Sequence, residues 1–246
     1  MENEKIIILQ DMINASKKIV FFGGAGVSTE SGLKDFRSVD GLYNEKYDYP
    51  PEMILSRSFF YFKPDIFYKF YKDKLLIKNI LPNKCHYKLK ELEEKGKLLG
   101  VITQNIDNLH TLAGSKNVIE LHGTIMKNHC IYCNKSFEGF DVILNSNKIP
   151  RCDVCGNMIK PDVVLYEEAL VEENIENAIK IIKDADMLII GGCSLTVYPA
   201  ASFIDYFKGK YLVVINKSPT KVDYKADLVI SDSIAKVMEQ IIVENP

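Results

Sequence analysis

Four short runs made almost wholly of apolar residues constrain the fold of this chain more than anything else in it. They are Lys18-Ile19-Val20-Phe21-Phe22, Leu98-Leu99-Gly100-Val101-Ile102-Thr103, Met187-Leu188-Ile189-Ile190 and Leu212-Val213-Val214-Ile215. A strand with one face in water alternates apolar and polar residues; these runs do not, so both of their faces must be covered. Between them the pattern changes to helical spacing, with Ile6, Leu9 and Ile13 in residues 5–17 and further helices expected over 64–78, 83–95 and near 171–184. Asn83, after Pro82, is placed to cap the helix over 83–95. Shorter strands are expected at Val118–Leu121 and Val163–Tyr166, and helices from near Pro199 and from about Ser233 to Val243. Buried strands alternating with helices predict an α/β fold, a parallel sheet with helices on both faces. Such sheets bind ligands beyond the carboxyl ends of their strands, near the point where strand order reverses.

Two segments break this alternation. Residues 40–80 are rich in Tyr and Phe and contain Pro50-Pro51, and residues 124–162 hold four of the six cysteines. Both read as insertions into the sheet domain. The chain carries 31 Lys and Arg against 33 Asp and Glu, a formal net charge of -2, so it has no overall field to hold a polyanion; no nucleic-acid partner is expected. No apolar run approaches the ~20 residues that span a bilayer, so no membrane association is expected. Ile6-Ile7-Ile8-Leu9 is too short for a secretory signal and follows Glu2 and Glu4. A reducing cytoplasm is the expected location, where cysteines serve as thiols or metal ligands.

Cys130-Ile131-Tyr132-Cys133 and Cys152-Asp153-Val154-Cys155 are two C-x-x-C pairs with 18 residues between them. Each pair presents two thiolates from one tight turn, and two such turns complete a tetrahedral sulfur shell for zinc. Four protein ligands leave no open position for water, so the metal is expected to be structural. A redox pair would need only one C-x-x-C, at a helix start. His129 is read as a neighbour of the site, and Cys85 and Cys193 as small packing residues.

Gly24-Ala25-Gly26 follows a strand and is expected to open a helix, which would aim backbone N–H groups at an anion such as pyrophosphate. Thr29 stands where the third glycine of G-x-G-x-x-G would be, so the turn alone is equally compatible with a structural role. Other strand ends carry chemistry as well. Thr103-Gln104-Asn105-Ile106-Asp107 brings amides and a carboxylate to the cleft; Leu121-His122-Gly123, Gly192-Cys193-Ser194 and Asn216 follow other strands. An imidazole at such a position, with an ordinary pKa of ~6.5, suits a general base.

In this order, these motifs resemble the sirtuins, NAD-dependent protein lysine deacylases, of the bacterial type with a four-cysteine zinc ribbon. The resemblance covers about residues 5–243. It rests on Gly24-Ala25-Gly26-Val27-Ser28-Thr29-Glu30-Ser31-Gly32, Asp35-Phe36-Arg37-Ser38, Thr103-Gln104-Asn105-Ile106-Asp107-Asn108-Leu109-His110 and Leu121-His122-Gly123. The two C-x-x-C pairs, Pro161-Asp162-Val163-Val164, Ser194-Leu195 and Pro199-Ala200 complete it. It implies a Rossmann-like NAD-binding domain from residues 1–38, 81–123 and 163–246. A small module would join a helical insert (39–80) to a zinc-binding insert (124–162). NAD and an acylated lysine would meet in the cleft between them. The acyl oxygen would displace nicotinamide at the ribose C1′, a histidine would act as base on the ribose hydroxyls, and O-acyl-ADP-ribose would be released.

Carried over by position, His122 is the base, and Asn105 and Asp107 order the ribose, nicotinamide and a water. Ala25, Phe36, Ile106 and Asp107 would line the nicotinamide pocket. Gly24, Thr29 and Arg37 would hold the phosphates and nearby ribose, with Gln104 on the ribose. Gly192, Cys193, Ser194, Asn216, Ser233 and Ile234 would hold the rest of the cofactor. Val164, Tyr166 and Val197 would border an acetylated lysine in a peptide, the first two by strand pairing. The chain departs from the family at Leu33 and Lys34 (usually Ile and Pro), at Cys193 (usually Thr or Ser), and at Tyr166-Glu167-Glu168 (usually Phe-Gly-Glu). Relatives that take acidic acyl groups carry a Tyr and an Arg three apart; here Lys46 follows Tyr43 at that spacing, but Glu45 and the aromatic residues of 42–71 favour a neutral acyl group. Phe67, Phe70 and Tyr71 have the helical spacing of the insert's own core. The competing expectations are an NAD-dependent mono-ADP-ribosyltransferase and a non-catalytic NAD-binding module.

Overall fold

The computed structural model describes residues 2–36, 38 and 40–243. Its strands are β1 (Ile19–Gly23), β2 (Leu98–Thr103), β3 (Val118–Glu120), β4 (Gly123–Cys130), β5 (Ser136–Glu138), β6 (Ile159–Val163), β7 (Met187–Gly191), β8 (Tyr211–Ile215) and β9 (Leu228–Ile230). Its α-helices are α1 (Glu2–Ala15), α2 (Pro51–Ile54), α3 (Arg57–Phe62), α4 (Pro64–Lys74), α5 (Lys84–Glu94), α6 (Leu109–Ala113), α7 (Asp141–Leu144), α8 (Glu172–Asp184) and α9 (Ile234–Glu239). Six strands form one parallel sheet in the order β3-β2-β1-β7-β8-β9. The order reverses between β1 and β7, as in a Rossmann-like sheet, so the cleft belongs at the carboxyl ends of those two strands.

The double coverage expected from the apolar runs is realised residue by residue. Ile19 and Phe21 of β1 pack with Leu9 and Ile13 of α1 and with Leu89 of α5. Val20 and Phe22 point to the opposite face, against Ala178 and Ile182 of α8 and against Phe203. Burying a side chain of this size is worth about 1.5–3 kcal/mol, so a one-residue slip of β1 would exchange the two faces at a large cost. Asn83 caps α5 as expected: its side chain accepts from Cys85 N–H (3.0 Å), and its own N–H donates to His86 Nδ1 (3.1 Å).

The second layer of structure combines the two insertions. A three-stranded antiparallel sheet, β5-β4-β6, carries the cysteines. The aromatic helices pack against it: Phe60, Phe67, Tyr68 and Tyr71 share a core with Ile125, Met158 and Val163. Phe67 and Tyr71 are wholly buried and Phe70 nearly so, which makes them core residues of the insert.

Four expectations are corrected. The apolar run Val163–Tyr166 is not a strand of the main sheet. It continues from β6, and Val164 N–H donates to His122 C=O while Tyr166 pairs with the helical insert. A short apolar run does not reveal which sheet it joins. The segment after Pro199 is a 3-10 helix, Ala200–Tyr206, and α9 is shorter than expected. Finally, no α-helix follows Gly24-Ala25-Gly26; two single 3-10 turns, Ala25–Val27 and Thr29–Ser31, do.

Candidate active site

Two glycine turns meet at the reversal point. Gly24 N–H donates to Gly191 C=O (3.2 Å) and Gly26 N–H to Gly192 C=O (2.8 Å). A Cβ on Gly26 would lie 2.8 Å from the Gly192 backbone, and Gly192 has φ +55° with Val27 N only 2.4 Å from where its Cβ would be. The glycines therefore allow two backbones to touch and keep the cleft floor free of side chains. Without an α-helix here, an anion would be met by turn amides rather than by a helix dipole.

The neighbouring strand end supplies a polar relay. Asn105 Nδ2 donates to Ser28 Oγ (3.1 Å), and Ser28 Oγ donates to Asp107 (2.6 Å), which also accepts from Leu109 N–H (2.9 Å). Burial raises the pKa of Asp107 from its ordinary value, while the Ser28 and Leu109 hydrogen bonds favour its charged form. His122 lies just beyond β3, with Nδ1 2.9 Å from Gln104 C=O. A carbonyl only accepts, so Nδ1 carries the proton and Nε2 keeps its lone pair. Burial lowers the His122 pKa, which the Gln104 bond only partly offsets, so the ring is a neutral base at neutral pH. Glu120, at the end of β3, is raised by burial to about 7.

Gly24, Gly26, Gly192, Ser28, Asn105, Asp107 and His122 line one cleft of about 1190 Å³. Gly24, Ala25 and Thr29 line it from the glycine turn; Phe36 lines it from the following loop. Gln104, Asn105, Ile106, Asp107 and His122 form the wall above β2 and β3. Gly192, Cys193, Ser194, Asn216, Ser233 and Ile234 extend it beyond β7, β8 and β9, and Val164, Tyr166 and Val197 border the end nearest the small module. Arg37 lies outside the described residues. Cys193 is buried, as expected for a packing residue, but also accepts from Gln104 Nε2 (3.2 Å). Strand pairing through Tyr166 is corrected: its N–H already donates to Leu55 C=O and its C=O already accepts from Arg57 N–H. Its hydroxyl instead meets that of Tyr43 at 2.8 Å.

Two features escaped the sequence reading. Ser28 joins Asn105 to Asp107, a role hidden because it is one hydroxyl among several in its turn. Glu45 accepts from Lys34 (2.8 Å), Lys74 (2.6 Å) and Tyr47 (2.8 Å), tying the loop over the cleft to α4. The three side chains hold the Glu45 pKa down at about 2.

The Sir2 family sequence profile matches residues 24–199, which takes in the glycine turn, the polar ends of β2, β3 and β7 and all four cysteines of the C-x-x-C pairs. The chain belongs to the Sir2 family. An NAD-dependent protein deacetylase of Clostridium acetobutylicum is 55% identical over 241 residues, covering 97% of this chain and 98% of that protein. The Clostridium perfringens protein of the same name is 55% identical over 243 residues, 98% and 99% of the two chains. Among solved structures, a Sir2 variant with a deacetylated p53 peptide and 3'-O-acetyl ADP ribose superposes with a TM-score of 0.88 at 37% identity, covering 96% of each chain. A Sir2–p53 peptide–NAD+ complex gives 0.84 at 38% identity over 95% of each.

The cysteine cluster fits the structural zinc of this Sir2 chain. The four sulfurs of Cys130, Cys133, Cys152 and Cys155 lie within 4.8 Å of one another. Cys130 Sγ is 3.4 Å from Cys155 Sγ, and Cys133 Sγ is 3.6 Å from both Cys152 Sγ and Cys155 Sγ. Sulfurs about 2.3 Å from a tetrahedral zinc stand close to 3.8 Å apart, so the cage has the right size. Each knuckle ends on a left-handed residue, Asn134 (φ 57°) or Gly156 (φ 72°). His129 is outside the cluster and pairs with Asp162.

Proposed function

We propose that this protein is an NAD-dependent protein lysine deacetylase, converting NAD, an acetylated lysine side chain and one water into nicotinamide, O-acetyl-ADP-ribose and free lysine. The observation that carries this reading is the convergence of Asn105, Asp107 and His122 on one cleft floored by paired glycine turns. Relatives of more than half identity bear the same name.

NAD supplies an anomeric carbon with a nicotinamide leaving group, beside two ribose hydroxyls. The chain's own residues do the rest. Acetyl-lysine is a weak nucleophile, so rate comes from holding its oxygen in line, the work of Val164, Tyr166 and Val197 at the cleft end. Ala25, Phe36 and Ile106 exclude water from the reacting carbon and suppress hydrolysis of NAD. Asn105 and Asp107, joined by Ser28, fix polar partners for the ribose and nicotinamide. His122 takes a hydroxyl proton at Nε2, the nitrogen its bond to Gln104 leaves basic. Gly24, Thr29 and Arg37 serve the phosphates, and Ser194, Asn216, Ser233 and Ile234 the adenosine half.

Residues 1–38, 81–123 and 163–246 act as the cofactor-binding unit, with 39–80 and 124–162 as the module facing it, although Val163, Leu165 and Tyr166 pack with that module. Glu45 occupies the ammonium groups of both Lys34 and Lys74, which supports a neutral acyl group over an acidic one. A reducing cytoplasm suits four thiolates that ligate metal. No helix of the described residues is long and apolar enough to cross a membrane.

The test is incubation with NAD and an acetyl-lysine peptide, with mass spectrometry of peptide and nucleotide. Loss of acetyl with formation of O-acetyl-ADP-ribose supports the reading. Gain of ADP-ribose by the peptide, or NAD binding with no nicotinamide release, would replace it.

A further inference from the structure

A second depression, of about 570 Å³, adjoins the cleft on the helical insert. Tyr166 and Glu167 line both, so the two are separated only by that short stretch of chain. Its apolar wall is Met53, Phe59 and Phe62. Phe62 is 81% exposed and Met53 49%, more apolar surface than folding of the insert requires. Both charged groups lining the depression, Glu52 and Glu167, are acidic.

Glu167 is held there at a backbone cost. Its φ of 73° lies in the left-handed region that a residue with a Cβ disfavours. Ser58 keeps it in place, donating from N–H to one carboxylate oxygen (2.8 Å) and from Oγ to the other (2.9 Å). Each oxygen keeps a further lone pair for a cationic donor. An unfavourable backbone conformation maintained by two hydrogen bonds, at the border between two cavities, points to a function for the side chain.

We propose that this depression is a subsite for the substrate polypeptide next to the acetyl-lysine. An apolar side chain seats against Met53, Phe59 and Phe62, and a neighbouring Lys or Arg meets Glu52 and Glu167. The occupant follows from continuity and charge. A chain leaving the cleft past Tyr166 enters the depression directly, and its acidic rim suits a basic segment. The subsite rests on the deacetylase reading and adds to it a sequence preference.

The test measures nicotinamide release from acetyl-lysine peptides in which Phe replaces Ala, or Lys replaces Glu, at each position flanking the modified lysine. The wild-type protein should show a flanking position where Phe lowers KM about tenfold relative to Ala, the discrimination typical of one apolar side chain in a pocket. Lys should be favoured over Glu by a similar or smaller factor. The effect falls on KM rather than kcat, because this binding is uniform through the reaction. Phe62→Ala should collapse the Phe-to-Ala ratio while leaving the Lys-to-Glu ratio; Glu52→Gln should do the reverse. Phe62 is exposed enough that its loss spares the fold. Peptide turnover with no flanking preference, or a Phe preference that survives Phe62→Ala, overturns the subsite alone. Absence of nicotinamide release from every peptide overturns the deacetylase reading and the subsite with it.

Discussion

At the scale of single residues, the proposed base chemistry depends on which nitrogen of His122 is free. Gln104 C=O fixes the proton on Nδ1, and burial holds the ring neutral. Two outcomes are expected. His122→Ala should lower kcat by about 10²–10⁴-fold, the usual worth of a positioned base, while the circular dichroism spectrum and zinc content stay unchanged. In the wild-type protein, kcat/KM should fall on the acid side with an inflection below ~6.5, because a depressed pKa keeps the base form to lower pH. An inflection above that value would mean another group is titrating. Ser28→Ala removes the hydroxyl between Asn105 and Asp107, and a lost hydrogen bond to a charged group costs about 1.5–3 kcal/mol. Steady-state assays should therefore show a fall of about 10- to 100-fold in kcat/KM. The contrast between these residues shows what a sequence reveals. That His122, Asn105 and Asp107 share one cleft was legible because each stands just past a strand, where polar side chains have no packing role. Ser28 was not, because its partner lies 79 positions away and nothing local distinguishes it from Thr29 or Ser31.

At the scale of elements, the same logic separates what could be read from what could not. The strands β1, β2, β7 and β8 are legible in the sequence because burial on both faces removes polar residues from them. By contrast, β4 contains Lys127, Asn128 and His129 in succession, and β9 is only three residues long, so neither carries a periodic signal. The zinc knuckles were legible by spacing alone. Cys130→Ala removes one buried sulfur of the cage, and the small sheet β5-β4-β6 has few other anchors at that end. Zinc content should fall well below one per chain, and thermal unfolding should begin in this module, visible as early loss of hydrogen-exchange protection in β4 and β6. The glycine turn makes a different demand. Gly26→Ala puts a Cβ 2.8 Å from the Gly192 backbone, so one of the two turns must shift. Isothermal titration should register weakened NAD binding at least tenfold, with zinc retained.

At the scale of the whole molecule, the sheet has to hold two unlike faces together, and one buried pair makes that dependent on pH. The rings of His86 of α5 and His110 of α6 lie against each other with centroids 4.6 Å apart and planes tilted by 57°, and His110 also meets Phe21 of β1 at 6.1 Å. His86 Nδ1 accepts the Asn83 N–H of the helix cap, while His86 Nε2 and both nitrogens of His110 lack partners among the described residues. Neither ring can take a proton there without a buried, uncompensated charge. Burial lowers His86 to about 4 and His110 well below its ordinary value, the latter helped by the His86 charge. At these two positions the unfolded chain, with histidines near ~6.5, therefore binds more protons than the native state below that pH, an effect that the raised carboxyls of Glu120 and Asp107 oppose. The contribution of His86 is fully present above ~6.5 and declines as pH falls toward about 4, by about 2 kcal/mol between pH 7 and pH 5, and His110 acts in the same direction. Denaturant melts across this window should show a midpoint that falls with acid more steeply in the wild-type protein than in His110→Phe, even if the substitution shifts the midpoint itself. A slope unaffected by the substitution would locate the acid sensitivity elsewhere. The same pair clamps α5 and α6 beneath the strand end that carries Asn105 and Asp107. Acid should therefore loosen the cleft wall as part of the global transition, with loss of NAD binding coinciding with the melt rather than preceding it.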